Sequence, residues 1–435
     1  MKKLFFFITT ILIVLIIIIL NLDTIRSYVV QRLNEEQKQS IREIFFGKGE
    51  AKLFQKYKLY GKMNYNQNIL PDTHYIDLNF YEKDLSDLDL ALSISKWNPG
   101  SVQFFLENYE DKVILADSGG NFFYIERESL YQNKKIDFKK IDTNFRYENG
   151  LGSIRDLYVH KNKIFISYSD FSDDCTKINI DVSNIDESLK FENFFKSEDC
   201  SSEFDAGRIN YFNHKGIEGI LVTTDTELEG KRAQDINSSF GKILFIDFEN
   251  KKSKIFSMGH RTPQGLYVEG NTILAAEHGP RGGDEINNIK FNGNYGWPIV
   301  SYGEPYYFEE FYDKEISKKN FFYKKNHTKE NFIEPIYAFV PSIGINQIIK
   351  VPNDFSKFWS NNYLITSLNG RSIYRAILSE NNNKVISMEK IFIGKRIRDI
   401  VYNKKNNIFI LSLEGKKKSK SSDAQPKIGV IQVQD

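Results

Sequence analysis

Val113-Ile114-Leu115-Ala116-Asp117 is a short apolar run that ends in small or polar residues. The 435-residue chain repeats it as Ile164-Phe165-Ile166-Ser167-Tyr168, Ile220-Leu221-Val222-Thr223-Thr224, Thr272-Ile273-Leu274-Ala275-Ala276, Tyr363-Leu364-Ile365-Thr366-Ser367 and Ile408-Phe409-Ile410-Leu411-Ser412. Short apolar runs bounded by turns read as buried strands. Most copies follow another short strand and a turn, as at 157–159 before the second copy and 266–268 before the fourth. The spacing is about fifty residues, apart from one long gap between the fourth and fifth copies, and such a period marks a β-propeller. In that fold each blade buries its faces against its neighbours, and the ring removes long exposed edges. Six copies predict an all-β, six-bladed propeller over residues 58–435, with an extended loop system in the gap at 291–340. Two stacked sandwiches are the rival all-β reading, and they explain the even spacing less well. There is no Trp-Asp dipeptide, so the repeats are not of the WD40 type. The run at 416–427 interrupts the last repeat and reads as a solvated loop.

Upstream of the repeats the pattern changes. Met1, Lys2 and Lys3 precede an almost unbroken apolar run from Leu4 to Leu20. At 1.5 Å per residue this spans roughly 26 Å, close to a bilayer core. No small-residue cleavage site follows before Tyr28, so residues 1–22 read as an uncleaved anchor rather than a signal peptide. The two lysines favour a cytoplasmic N-terminus. That topology gives a single-pass inner-membrane protein with its propeller in the periplasm. Residues 23–57 read as a helical spacer, with Val29, Val30, Leu33, Ile41, Ile44 and Phe45 at roughly helical spacing. Lys and Arg total 59 against 57 Asp and Glu, so no electrostatic footprint for nucleic acid is present. The two cysteines, Cys175 and Cys200, flank a predicted hairpin of strands 177–182 and 189–195. Outside the cytoplasm a hairpin that joins them permits a disulfide, and two buried free thiols are the alternative.

The chemistry-bearing residues crowd between Gly259 and Pro298. Gly and Pro turns there expose backbone carbonyls, Arg261 supplies a cationic fork, and Asp284-Glu285 follows two glycines. A hard cation such as Ca²⁺ takes carboxylate and carbonyl oxygens, so Glu285 with turn carbonyls forms one reading. Turn capping by Asp284 and Glu285, with pairing to Arg281, forms the other. Arg396 and Arg398 lie at i and i+2, which puts both on one face of a strand. They repel each other unless they share an anion, and pairing with carboxylates of a neighbouring blade is the alternative. Asp399 points the other way. His260 and His278 read as hydrogen-bond partners behind the turns. No Ser-His-Asp, Walker-A or zinc-type spacing stands out.

The motifs GHRTPQGL (259–266), EHGPRGGDEINNI (277–289), NYGWPIVSYGEP (294–305), EPIYAFVPSIG (334–344), SLNGRSIYR (367–375) and GKRIRDI (394–400) occur in this order. In that order they resemble the glucose/sorbosone dehydrogenases, six-bladed propellers that use pyrroloquinoline quinone (PQQ) and calcium to oxidise the anomeric hydroxyl of aldose sugars. The resemblance is strong from about 207 to 431 and faint from 112, and it leaves a divergent first blade within the first hundred residues. It implies that Arg261, Thr262, Gly279, Pro280, Asn369, Arg396 and Arg398 face the cofactor. The same resemblance implies one calcium at the Gly279 and Pro280 carbonyls and a second at Asp284, Glu285 and the Tyr295 region. The chain departs from the family pattern at four positions. Phe204 of FDAGR stands where the family has a histidine base, which leaves Asp205 as the substitute candidate. Asn369 stands for a lysine, Thr262 for an asparagine, and Leu151 for a glutamine or glutamate. Two functions follow as expectations: a membrane-tethered, PQQ-dependent sugar oxidoreductase, or a non-catalytic, calcium-stabilised propeller that binds a carbohydrate or an envelope partner.

Overall fold

The computed structural model describes residues 78–433 apart from 94–99, 149, 151, 172–174, 203, 227–228, 306–322 and 417–424, together with Gln37 and Ile76. The expected anchor at 1–22, the spacer at 23–57 apart from Gln37, and Leu151 lie outside the described residues. Among the described residues, no helix is long and apolar enough to cross a membrane.

Each repeated run is the second strand of a blade. The inner strands are Phe104–Tyr109, Gly152–His160, Ile209–His214, Thr262–Glu269, Ile345–Lys350 and Ile397–Asn403, in blades 1 to 6. Each pairs antiparallel with the repeat strand that follows it in the chain. The inner strands touch in order around a ring, blade 6 returning to blade 1. The repeats are continuously apolar because both faces of each blade are covered. Val113 and Leu115 pack into the cluster between blades 1 and 6. Ile114 and Ala116, which point the opposite way, pack into the cluster between blades 1 and 2. The same alternation divides Ile220 and Val222 from Leu221, and Phe409 and Leu411 from Ile408 and Ile410.

The ring closes with both ends of the chain. Leu78–Asp84 pairs antiparallel with Lys427–Val433 and is the outer strand of blade 6. The described residues before 100 therefore supply a closing strand, not the divergent first blade that was expected. Blade 1 is built from residues 104–143. The long gap is an insertion between the third and fourth strands of blade 4, Asp284–Asn288 and Tyr337–Phe339. It is stitched to blade 3 where Gly293–Asn294 pairs parallel with Ser253–Met258.

The expected hairpin forms in blade 2, where Ile178–Asn184 pairs antiparallel with Glu192–Lys196. Its ends are extended by reciprocal backbone hydrogen bonds between Thr176 and Ser201, at 2.7 and 2.9 Å. A disulfide joins Cys175 and Cys200, with Cα atoms 5.6 Å apart. Closing a loop of this length contributes about 3 kcal/mol in the chain-entropy picture. Reductant should lower the melting temperature of the native protein and leave that of a Cys175→Ala/Cys200→Ala variant unmoved.

A single arginine ties the hub together. Arg208 directly precedes the inner strand of blade 3 and is 2% exposed. Its Nη1 meets Asp156 of blade 2 at 2.9 Å and Asp399 of blade 6 at 3.0 Å. Nε donates to the Gln264 carbonyl of blade 4, and Nη2 to Asn346 of blade 5 and the Arg398 carbonyl. The guanidinium lies over the Phe105 ring of blade 1. All six blades thus meet on one side chain. The inner strands are irregular in register at these partners, between Ile154 and Asp156, Pro263 and Gly265, Ile345 and Ile348, and Ile397 and Asp399. Such bulges re-aim side chains without ending a strand. Here they turn polar groups into the axis. Asp156 and Asp399 line a cavity of about 240 Å³ on one side of this plug, and Gln264 and Arg398 line a larger one on the other.

Candidate functional site

The larger cavity, about 320 Å³, is the candidate site. Its wall includes Asp205, Arg261, Thr262, Gly279, Pro280, Asp284, Asn369, Arg396 and Arg398, which the sequence reading singled out from five separate motifs. It also includes Gln103, Arg155, Gln264, Ser342 and Leu368, which that reading missed. The cofactor-type residues come from blades 4, 5 and 6, while Gln103, Arg155 and Asp205 come from blades 1, 2 and 3.

Arg261 is placed by the turn that precedes the inner strand of blade 4. Gly259 sits there at φ +78°, and a Cβ on it would meet Asn294 Oδ1 at 2.2 Å, so only glycine fits. The buried Glu277 carboxylate accepts the Arg261 backbone N–H and holds His260 Nδ1 at 3.0 Å. His260 Nε2 lies 2.8 Å from Ser257 Oγ, and its ring stacks on Tyr295. His260 is thus a buried brace behind Arg261, as expected. The Arg261 guanidinium lies over Trp297, and its Nη1 donates to the carbonyls of His278 at 3.3 Å and Gly279 at 3.0 Å.

Arg396 and Arg398 do lie on one face, and the anion they share is internal. Arg396 Nε donates to Glu414 Oε2 at 2.7 Å and Arg398 Nε to Glu414 Oε1 at 2.6 Å. Glu414 comes from the same blade, just past its repeat strand, rather than from a neighbour. Burial by itself would raise the Glu414 carboxyl, but the two guanidiniums outweigh it and hold it below the usual carboxylate range. A folded-state value below the unfolded one contributes stability above the ordinary carboxylate range, and that contribution is lost as pH falls through the folded value. The difference in melting temperature between the native protein and Glu414→Gln should therefore shrink between pH 6 and pH 3. Asp399 points away, to Arg208, as its place in the strand predicted.

The acidic pair divides its work. Asp284, expected as a metal ligand, accepts the backbone N–H groups of Gly279 at 3.1 Å, Ile343 at 2.9 Å and Ile345 at 3.0 Å. Both of its oxygens accept backbone donors, so it clamps turns. Glu285 points the other way, into a void of about 10 Å³ shared with Tyr295, Glu277, Gly279 and Pro280. Burial first, and the charge of Glu277 second, raise its carboxyl well above the usual range. Asn287 Oδ1 beside it is buried without a hydrogen-bond partner. The Tyr295 hydroxyl donates to the Asn288 carbonyl and accepts from Lys290 N–H, so its side chain braces the turn. Among the described residues, no three His, Cys, Asp or Glu side chains converge as a metal cluster.

Phe204 is fully buried in the apolar cluster between blades 2 and 3. Asp205, the next residue, lines the cavity instead, in the segment that precedes the inner strand of blade 3. Thr262 Oγ1 and Ser342 Oγ are buried hydroxyl oxygens of the cavity wall with no hydrogen-bond partner. Asn369 also lines the cavity, and its backbone N–H closes onto the Ile343 carbonyl.

Comparison with known proteins agrees with this architecture. The family model for glucose / sorbosone dehydrogenase matches residues 99–419. An uncharacterized protein of Synechocystis is 30% identical over 205 residues, 43% of this chain and 47% of its own length, so the chain spans about half of that relative. The aldose sugar dehydrogenase YliI of Escherichia coli is 24% identical over 298 residues, 62% of this chain and 76% of the relative. The apo crystal structure of the soluble aldose sugar dehydrogenase from Escherichia coli superposes with a TM-score of 0.60 at 17% identity, covering 82% of this chain and 100% of the other. The PQQ-bound aldose sugar dehydrogenase of Streptomyces coelicolor gives 0.52 at 15% identity over 82% and 100%. At such identities the structural matches establish the propeller fold.

Proposed function

Because the chain belongs to the glucose/sorbosone dehydrogenase family, we propose that it is a PQQ- and calcium-dependent oxidoreductase for the anomeric hydroxyl of aldose sugars, tethered to the inner membrane by residues 1–22 with its propeller in the periplasm. The observation that carries this reading is the meeting of Arg261, Arg396 and Arg398 at one cavity with two orphaned hydroxyls. A tricarboxylate needs cations and hydrogen-bond donors, and guanidinium forks are the side chains best shaped for carboxylates. The cavity wall fits such a cofactor. Arg396 and Arg398 would each meet a carboxylate while Glu414 holds them from behind. Thr262 and Ser342 would donate the hydroxyl protons that now lack acceptors.

Charge supports a second cation. Arg155, Arg261, Arg396 and Arg398 against Asp205, Asp284 and Glu414 leave one net positive charge for three carboxylates, and Ca²⁺ would supply the remainder. Glu285, Asn287 Oδ1 and the Tyr295 turn fit one calcium, since a buried carboxylate in an ion-sized void gains from a divalent partner. The Gly279 carbonyl fits a second only if Arg261 turns from it toward the cofactor. PQQ, when bound, accepts the hydride of the sugar carbon. The chain binds and orients both reactants, and Asp205 is its proton acceptor candidate. The disulfide suits an oxidising compartment.

Reconstitution with PQQ and calcium, followed by dye reduction across a panel of aldoses, tests this reading. Turnover with at least one aldose is expected. A second reading, a calcium-stabilised propeller that binds a carbohydrate or an envelope partner without oxidising it, is favoured by the burial of Phe204 in the core where the family has its base. It predicts a calcium-dependent rise in melting temperature and no turnover.

A further inference from the structure

We infer that Arg155 is a positioning residue that holds the Asp205 carboxylate toward the cavity, so that this Arg–Asp pair takes the proton-accepting role on the side of the channel opposite the cofactor residues. The inference rests on the oxidoreductase reading above. Arg155 lies on the inner strand of blade 2, and its Nη2 meets Asp205 Oδ1 at 2.5 Å, as an ion pair rather than a well-aligned hydrogen bond. The order of burial decides which partner faces a ligand. The Arg155 side chain is 7% exposed and that of Asp205 18%, so the guanidinium lies behind and the carboxylate in front.

Each end of the pair is fixed. Arg155 Nε donates to Ser169 Oγ at 3.1 Å, and that hydroxyl donates to the Ser153 carbonyl. Gly207, at φ +114°, leaves room for the arginine stem; a Cβ there would meet Arg155 Cβ at 2.7 Å. Asp205 is held through its backbone on both sides. Its N–H donates to Asp225 Oδ1 at 2.9 Å, and its carbonyl accepts Gln264 Nε2 at 2.9 Å. A side chain whose neighbours lock both backbone and head group is preorganised in the way a proton acceptor needs. The buried alternative at this segment, Phe204, has no proton chemistry.

The step balances as follows. The O–H bond at C1 of the sugar breaks and its proton passes to Asp205. The C1–H bond breaks and its hydride passes to the quinone cofactor. The C1–O bond becomes a carbonyl, so the sugar loses two electrons and becomes a lactone while the quinone gains two. Asp205 then returns its proton to water.

Three variants test the assignment: Asp205→Asn, Arg155→Gln and Arg155→Lys, with the double variant Arg155→Gln/Asp205→Asn. In the apo protein the double variant should melt no lower than the worse single, because each change removes the same pair. In the loaded protein, Asp205→Asn should lower kcat by about 10²–10⁴-fold, the usual contribution of a positioned base. Arg155→Gln should lower kcat more than it raises KM, and Arg155→Lys should recover part of the loss. PQQ affinity should stay within about twofold, since the cofactor residues lie across the channel. Additive melting shifts, or a kcat unchanged in Asp205→Asn or in Arg155→Gln, overturn the assignment. If the native protein neither binds PQQ nor oxidises a sugar, the oxidoreductase reading fails, and a role in proton transfer fails with it; the melting cycle then reports only whether the pair is coupled.

Discussion

Replacing Arg208 with methionine should destabilise the propeller by about 3–5 kcal/mol, the cost of removing one partner from a buried ion pair. The length of the side chain is nearly kept, so the loss is electrostatic rather than a cavity effect. Asp156 and Asp399 would be left facing each other in the hub, at 4% and 2% exposure, with no cation between them. Burial already raises both carboxyls, and the Arg208 charge is the main force opposing it. A domain has only about 5–15 kcal/mol in total, so the variant should lose a large part of its stability. The mechanism is separable from the substitution. Asp156 Oδ2 also accepts Ile209 N–H, and Asp399 Oδ2 accepts Leu106 N–H. Asparagine keeps those acceptors and removes the charge. Adding Asp156→Asn and Asp399→Asn to Arg208→Met should therefore recover part of the loss in a denaturant melt. A triple variant less stable than the single one would show that Arg208 acts through shape and hydrogen bonding to the other blades.

The second large effect concerns the arginine pair of blade 6. Arg396→Gln/Arg398→Gln leaves Glu414 buried without a counter-charge, so the informative variant adds Glu414→Gln. That triple variant removes two positive charges and one negative charge together and should stay folded. Charge-assisted hydrogen bonds contribute about 1.5–3 kcal/mol each, and neighbouring contributions do not simply add. PQQ affinity should fall by about 10²–10³-fold, measured by the change in cofactor absorbance. An affinity unchanged in the triple variant would remove these two residues from the cofactor site.

The fold was legible because each repeat strand is covered on both faces, which writes an unbroken apolar run into the second strand of every blade. Its closure was not. Leu78–Asp84 pairs with a strand at the far end of the chain, and nothing local in its sequence names that partner. The arginines of the site were legible because they sit in turn-rich motifs, and Arg396 and Arg398 by their i, i+2 spacing. Glu414 went unread because the anion they need lies past another strand. Arg155 stood alone on an inner strand, and Gln264, although inside GHRTPQGL, carried no charge to single it out. The bulges between Ile154 and Asp156 and between Pro263 and Gly265 break the period-two rule at the positions where it would have told which side chains face the axis. Arg208 sat in the segment read for a missing histidine, and its role as a hub emerges only when six blades meet on it.

Titration of the calcium-loaded apo protein with PQQ, followed by cofactor absorbance, tests the central claim most directly. A saturable spectral change at micromolar PQQ, weakened in the blade 6 triple variant, is the expected result. No binding at that concentration with calcium present would contradict the assignment of this cavity to a tricarboxylate cofactor.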